Sequence, residues 1–394
     1  MGTDSKTGYK RYYLSLTGEN SHIIDLEPGQ GSLSIGTKGV STGEYDVWVE
    51  HGKKINWNAV NGLYTGYGLE HKADFPQGDW PRWIDYSGAD TGFIEWTSKR
   101  KTEEFYWTPT EDMCVDMKEA RISHLHLVLE HRVQVIMGKD IRWLSLYGNL
   151  KNLEIQVYGG EHIIEFKMTG YSDSEKIYRI PDTKGLQNTE SVYVEVSPLG
   201  DPFDCKSLGQ FQNLKHLQII GNICNAKTLA ELKLLESLRL YSIPDLSELP
   251  PMICWEHLNS FVGVDIDEIV GRSIRKQFKA IGKEWEIDAH ISGLRSKTWF
   301  ATEYDNPFKE WEGKRGKKAS RLYKAYLKEV KNAADEDAVK DLIIRFTEEF
   351  NSMTDIDTVE REDIYDAVER FVIASSLEIL RNTWTEWFDD NRDY

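Results

Sequence analysis

The chain has 394 residues, more than one ordinary hydrophobic core needs, so its length predicts two or three domains. Apolar residues make up 40% of it, with 13 Trp, 19 Tyr and 14 Phe, which excludes a largely disordered protein. The formal net charge of −17 argues against general binding to nucleic acid or anionic membranes, and it favours a basic protein as a partner.

The sequence also lacks the common targeting signals. Residues 1–6 contain no apolar run of the kind found in signal peptides, and no stretch of 18 apolar residues occurs anywhere. The four cysteines form no C-x-x-C motif, which favours a reducing compartment. We therefore expect a cytoplasmic protein that does not cross a membrane.

Residues 1–118 predict a β-rich N-terminal domain. Short alternating apolar runs are separated by Gly and Pro turn signals, and residues 45–49 and 55–57 flank Gly52 in the manner of a hairpin. This stretch is rich in tryptophan. Filling a small core is the favoured role for these rings, and stacking on sugar rings is the alternative. The tryptophans are Trp48, Trp57, Trp80, Trp83, Trp96 and Trp107.

Residues 119–268 repeat an apolar signature, L-x-x-L-x-L, with copies that begin at Ile122, Ile141, Leu150, Leu214 and Leu235. Apolar residues in this pattern point inward, and one unit cannot bury its own apolar face, so several units must stack. The pattern resembles the leucine-rich repeat family. The resemblance implies an irregular, curved solenoid with a concave binding face.

The positions beside the inner leucines supply the predicted partner-binding surface. They mix aromatic and polar side chains, which is typical of a contact surface. Between residues 133 and 166, apolar triplets recur about every ten residues, which fits either two strands per repeat on two faces or a meander added to the solenoid. The predicted contact residues are Trp143, Tyr147, Glu154, Gln156, Tyr158, His216, Gln218, Arg239 and Tyr241.

The remainder of the chain is predicted to be mainly helical. Residues 269–305 form a connecting segment, and residues 306–394 predict a bundle of four amphipathic helices. Asp357, followed three residues later by Glu360, predicts a helix N-cap with its capping box. The predicted fold class is thus α+β and multi-domain, with a β-rich N-terminal domain, an irregular leucine-rich repeat solenoid and a C-terminal α-helical bundle.

One pair of residues has the spacing of metal ligands. His124 and His126 are two apart on a predicted strand, so both rings share a face, a spacing that zinc sites use. Ordinary surface histidines are the favoured interpretation, because the sequence shows no third converging ligand. The sequence contains no phosphate-binding, nucleophile-elbow or H-E-x-x-H motif, so we expect no enzymatic activity, no cofactor and no small-molecule substrate.

Four C-terminal segments carry a second resemblance. They are residues 306–311 (N-P-F-K-E-W), 350–351 (F-N), 356–362 (I-D-T-V-E-R-E) and 387–393 (W-F-D-D-N-R-D), and they are similar to segments of bacterial cytoplasmic repeat proteins. Some of those proteins act as immunity proteins against polymorphic toxins. The resemblance implies a non-enzymatic protein that binds and neutralises a basic toxin domain, to which the acidity of this chain is suited. The alternatives are a glycan-binding or glycan-processing protein that uses the Trp-rich domain, and a regulatory scaffold.

Overall fold

A computed structural model describes residues 2–3, 10–26, 30–63, 80–169, 177–281, 287–353, 356–377 and 379–394. The chain forms two compact units, Met1–Ser296 and Lys297–Tyr394. In its described residues the first unit holds the strands and two α-helices, α1 (Gly92–Ser98) and α2 (Glu268–Ile281).

The strands are β1 (Gly2–Thr3), β2 (Lys10–Leu14), β3 (His22–Leu26), β4 (Ser32–Thr37), β5 (Val47–Val49), β6 (Trp83–Ser87), β7 (Thr102–Thr108), β8 (Met113–Met117), β9 (Ile122–Leu129), β10 (Val133–Gly138), β11 (Trp143–Gly148), β12 (Leu153–Tyr158), β13 (Ile163–Thr169), β14 (Ser191–Ser197), β15 (Phe203–Asp204), β16 (His216–Ile220), β17 (Ile223–Cys224), β18 (Ser237–Ile243), β19 (Ser260–Ile266) and β20 (Asp288–Ser292).

A parallel sheet of 12 strands, the main sheet, dominates the first unit. Its order is β20-β19-β18-β16-β14-β13-β11-β9-β7-β6-β4-β5, so from β6 onward each strand lies beside the next one along the chain that joins this sheet. The register is regular: Leu125 pairs with Leu144, and Leu144 pairs with Ile164. Chain order and spatial order therefore coincide over most of the sheet.

Alternation within each strand decides which face of the main sheet is buried. In β18, Leu238 and Leu240 are fully buried while Arg239 between them is exposed. Successive side chains on a strand point to opposite faces, so an alternating sequence covers one face with apolar groups. The same alternation places Phe105 and Trp107 of β7 in this core.

Smaller sheets accompany the main sheet. The second sheet has the order β12-β10-β8 and is parallel, β1–β3 form an antiparallel sheet, and β15 pairs with β17. Strands β10 and β12 alternate along the chain with β11 and β13, which lie in the main sheet. The ten-residue recurrence of apolar triplets thus corresponds to two strands per unit in two different sheets.

The predicted fold class is wrong. Strands β4 to β7, from the predicted β-rich domain, belong to the same parallel sheet as the leucine-bearing strands, so the architecture is an α/β-type sheet with a C-terminal helical region. Inward positions of β6 and β7 carry the aromatic residues Tyr86, Phe105 and Trp107 instead of leucine, which hid the common pattern. The predicted hairpin is also wrong, because β5 pairs in parallel with β4 and Trp57 lies in a 3-10 turn.

The second unit is helical. It contains α3 (Lys297–Glu303), α4 (Gly313–Val330), α5 (Glu336–Asn351), α6 (Thr358–Ser375) and α7 (Arg381–Asp389). Its core includes fully buried Phe308, Phe346 and Phe371. The capping box of Asp357 and Glu360 at the start of α6 is present as predicted. Among the described residues, no helix combines the length and apolar character that crossing a bilayer requires.

Basic side chains of α4 pair with acidic ones elsewhere in the helical unit. Arg315 forms an ion pair with Glu360 of α6, and Lys324 lies 2.6 Å from Glu303 of α3. Ion pairs thus link the basic helix α4 to α3 and α6.

Candidate functional site: the open face of the main sheet

The face of the main sheet opposite the hydrophobic core, here called the open face, carries three rows of side chains across the strands. The first row is Trp83, Glu104, His124, Trp143, Ile163, Ser191, His216, Ser237, Ser260 and Asp288. The middle row is Asp85, Tyr106, His126, Ser145, Glu165, Tyr193, Gln218, Arg239, Val262 and His290. The third row includes Val128, Tyr147, Lys167, Glu195, Ile220, Tyr241, Val264 and Ser292.

Most of the predicted contact residues lie on this face. Trp143 and His216 are in the first row, Gln218 and Arg239 in the middle row, and Tyr147 and Tyr241 in the third. Parallel pairing in a regular register brings them together although nearly 100 residues separate the first from the last.

The other three predicted contact residues lie elsewhere. Glu154, Gln156 and Tyr158 belong to β12, which is a strand of the second sheet. Glu154 forms an ion pair with Arg132, and Tyr158 is 68% exposed. The open face and these three residues therefore form separate surfaces.

Several residues of the open face were missed by the sequence interpretation. Glu104 and Tyr106 come from β7, which lies in the stretch predicted to be a separate β-rich domain, and Glu165, Tyr193 and Glu195 come from strands without the leucine signature. Strict alternation in β13 and β14 is the signal that points to the last three.

A stack of four rings occupies the centre of this face. The Tyr106 and His126 rings lie 3.6 Å apart between centroids at an interplanar angle of 9°, and His126 and His124 lie 3.7 Å apart. Trp143 continues the stack, with its centroid 5.0 Å from that of His124. Stacking covers both histidines, and His126 is only 4% exposed.

A chain of polar contacts runs beside the ring stack. His124 Nε2 lies 2.7 Å from Ser145 Oγ, which donates to Glu165 Oε2 across 2.5 Å. Trp143 donates its indole N–H to the same carboxylate oxygen across 3.3 Å. Lys167 Nζ lies 3.0 Å from Glu165 Oε1, so both oxygens of this buried carboxylate have partners.

Burial controls the protonation of the two histidines. Removal from water disfavours the charged form, and it lowers the pKa of His124 to about 4 and that of His126 to about 3. The neighbouring His124 and Lys167 add to the effect on the pKa of His126. Both rings are therefore neutral at neutral pH, and the 3.3 Å approach of His126 Nε2 to Glu104 Oε2 is not an ion pair.

The serine, histidine and glutamate do not form a hydrolytic triad. In a triad the histidine contacts the serine through one nitrogen and the acid through the other. Here Glu165 contacts Ser145 itself, which directs the hydroxyl hydrogen to the carboxylate and away from His124. The contacts hold these side chains in an order that differs from that of a triad.

The tryptophans of the first 118 residues lie mainly in the core. Trp57, Trp80, Trp96 and Trp107 are buried, with at most 6% exposure, while Trp48 and Trp83 are intermediate. Trp57 also donates its indole N–H to Asp90 across 2.8 Å, as buried tryptophans commonly require. Four of the six rings thus have no flat face available to a sugar.

Comparison with known proteins gives no relative. No protein-family model, no curated protein and no solved structure matches this chain.

Proposed function

We propose that this chain is a non-enzymatic, cytoplasmic protein that binds a basic protein domain on the open face of its main sheet. The bound domain is a toxin, which the chain neutralises. The observation that carries the proposal is the continuity of the open face, where register aligns aromatic and acidic side chains from successive strands.

The open face is large enough for a specific protein complex. The ten strands that carry the first and middle rows, spaced about 4.8 Å apart, span roughly 45 Å, and three rows extend roughly 15 Å along the strands. The product, about 700 Å², is close to the roughly 800 Å² that each partner buries in a standard interface. A small molecule would cover only a fraction of it.

The charges of the open face favour a basic partner. Its rows contain five acidic side chains, Asp85, Glu104, Glu165, Glu195 and Asp288, and two Lys or Arg side chains, Lys167 and Arg239. Lys167 already pairs with two of the carboxylates. Complementary charge raises the association rate and selects against wrong partners, and the net charge of −17 acts in the same direction over longer distances.

The aromatic side chains are suitable anchors for binding. Trp143, Tyr147, Tyr193 and Tyr241 are all partly exposed, and Trp143 meets Tyr193 edge-on at 5.4 Å between ring centroids. Tyrosine and tryptophan are enriched among the residues that dominate binding energy, because they bury large areas with few rotatable bonds. The resemblance of segments 306–311 and 387–393 to immunity-type repeat proteins supports a toxin as the partner.

The test begins with tagged protein expressed in its source cells. The captured partner is identified, purified and titrated against wild-type protein and against a Tyr147→Ala/Tyr241→Ala double variant. These two tyrosines lie four strands apart, about 19 Å, so a partner that contacts both must cover the centre of the open face. We expect a basic partner whose affinity falls at least about 100-fold in the double variant, and whose toxicity wild-type protein suppresses.

Tyr158→Ala is the matched control. It removes an equally large exposed ring from β12 in the second sheet, and its affinity is expected to stay within about two-fold of wild type. A partner without a basic surface would overturn the proposal. Equal losses in the control and the double variant, or unchanged binding by the double variant, would do the same.

A further inference from the structure

Three side chains with potential metal-ligand atoms converge at the two histidines in the middle of the ring stack. Glu104, His124 and His126 each place one donor atom within 4.8 Å of the others. His124 and His126 are two apart on β9, and Glu104 is the register partner of His124 on the neighbouring strand β7. The regular pairing of the main sheet thus holds all three donors on one face.

His126 supplies the second observation. Its Nε2 atom is buried and has no hydrogen-bond partner among the described residues, although it lies 3.3 Å from Glu104 Oε2. Its other nitrogen, Nδ1, lies 3.1 Å from the hydroxyl of Tyr147. A buried polar atom without a partner is uncommon, and a cation placed between this nitrogen and the carboxylate would satisfy both.

The hydrogen-bond network also leaves one nitrogen of His124 able to bind a cation. A carboxylate only accepts hydrogen bonds, so the Ser145 hydroxyl donates to Glu165 and must accept from His124 Nε2–H. In that tautomer Nδ1 of His124 carries the lone pair that a metal ion needs. Partners on the far nitrogen commonly fix the tautomer and ring orientation of metal-bound histidines.

The geometry points to a zinc site formed by Glu104, His124 and His126. In a tetrahedral zinc site with bonds of about 2.0–2.1 Å, neighbouring ligand atoms lie about 3.3 Å apart. The Glu104–His126 distance already has this value, and the His124 donor atom lies within 4.8 Å of both, so metal binding requires the His124 ring to tilt away from the His126 ring on which it stacks. Two imidazoles and one carboxylate suit Zn²⁺ better than Ca²⁺ or Mg²⁺, which prefer oxygen ligands.

This ligand set differs from that of a closed structural site. Three protein ligands leave one position of a tetrahedral zinc ion for water or for a donor from another molecule. Zinc binding itself requires no protein partner, so it can be tested on the isolated chain.

Calorimetric titration of chelator-treated full-length protein with ZnCl₂ tests the site. We expect one zinc ion per chain, a higher melting temperature with zinc, and no comparable binding of Ca²⁺. Substitution of Co²⁺ should produce the visible absorption of a four-coordinate ion. Ser145→Ala, which removes the partner of His124, should weaken zinc binding about 10–100-fold, and Glu104→Gln should weaken it more.

His216→Gln is the matched control, because His216 occupies the same row of the open face on β16 and lies outside the cluster. It should bind zinc as wild type does. Circular dichroism of each metal-free variant shows whether it folds. The titration of wild-type protein tests the site even if a variant does not fold. Failure of wild-type protein to bind one zinc ion, or equal binding by folded Glu104→Gln, overturns the site.

Discussion

Lys167 and Glu195 form an ion pair of 2.5 Å between directly opposed positions of β13 and β14. Glu165, two residues before Lys167 on the same face, lies 3.0 Å from the same ammonium group. The Lys167 side chain is only 21% exposed. Burial alone would lower the pKa of Lys167, but the hydrogen bonds and charges of Glu195 and Glu165 outweigh it and raise the pKa above its ordinary value.

The raised pKa predicts a loss of stability in alkali. A folded-state pKa above the unfolded value of about 10.4 contributes stability that is complete below that pH and is lost as pH rises through the folded pKa. Lys167→Met should therefore cost about 1–3 kcal/mol at pH 7, because it leaves two carboxylates without their cation. Urea denaturation between pH 8 and 11.5 should show a smaller alkaline loss in the variant. Parallel pH profiles for the two proteins would contradict this explanation.

Neighbouring residues of β18 should respond very differently to truncation. Leu240 is fully buried in the core of the main sheet, whereas Arg239 is exposed on the open face. Leu240→Ala should lower the free energy of unfolding by about 2–5 kcal/mol, since it removes apolar contacts and leaves a cavity. Arg239→Ala should change it by less than about 0.5 kcal/mol. Chemical denaturation of the two variants measures both values, and similar losses would mean that β18 is oriented otherwise.

Gly→Ala substitutions at two positions with positive φ allow the cost of an unfavourable backbone conformation to be measured with and without a steric clash. A Cβ at Gly185 (φ +98°) would lie 1.9 Å from the Ile155 carbonyl oxygen, whereas one at Gly159 (φ +72°) meets no atom within 4 Å. Gly159→Ala should cost about 1–2 kcal/mol from backbone conformation alone. Gly185→Ala carries the same penalty and also forces the backbone at β12 to move. The melting temperature of Gly185→Ala should be clearly lower than that of Gly159→Ala. A reversed order would refute the close approach of Gly185 to the Ile155 carbonyl oxygen.

Helix α6 provides a test of capping. The Asp357 carboxylate accepts from the Glu360 backbone N–H across 2.8 Å, whereas Glu312, the N-cap of α4, makes no capping hydrogen bond. Asp357→Ala should therefore cost about 1 kcal/mol, while Glu312→Ala should have little effect. Hydrogen exchange of peptides from α6 should increase only in the first variant. Equal exchange in both would show that the capping box contributes no stability.

The sequence predicted strands well where leucine marks the core and poorly where aromatic residues do. The repeated signature located β9, β11, β16 and β18 because their inward positions are aliphatic. The same inward positions in β6 and β7 hold Tyr86, Phe105 and Trp107. The leucine signature therefore begins only after residue 119, and the domain boundary predicted there lies inside a continuous sheet.

The copy of the L-x-x-L-x-L signature that begins at Leu150 shows that the signature does not determine which sheet a strand joins. Its pattern is the same as that of the copy at Ile141, yet β12 joins the second sheet and β11 the main sheet. Local alternation fixes which residues of a strand are buried, but it does not say which sheet the strand joins. That depends on where the intervening turns direct the chain, which is why Tyr158 and Tyr147 lie on different surfaces.

The candidate metal site was half predicted for a similar reason. The spacing of His124 and His126 on one strand is visible in the sequence, and their shared face follows from the alternation of side chains. Glu104 lies 20 residues earlier, and its position opposite His124 depends on the register between β7 and β9. Register between strands is a property of tertiary structure, so no local pattern identified the third ligand.

The agreement between chain order and spatial order has a consequence for how the main sheet forms. His216 pairs with Ser237 and Ser237 with Ser260, and from β6 onward joining each new strand closes a loop of fewer than 30 residues. The entropy lost on closing a loop grows only slowly with its length, and contacts that are near in sequence favour rapid folding. The sheet can therefore assemble by successive short closures, starting from any adjacent pair, without waiting for remote parts of the chain to meet.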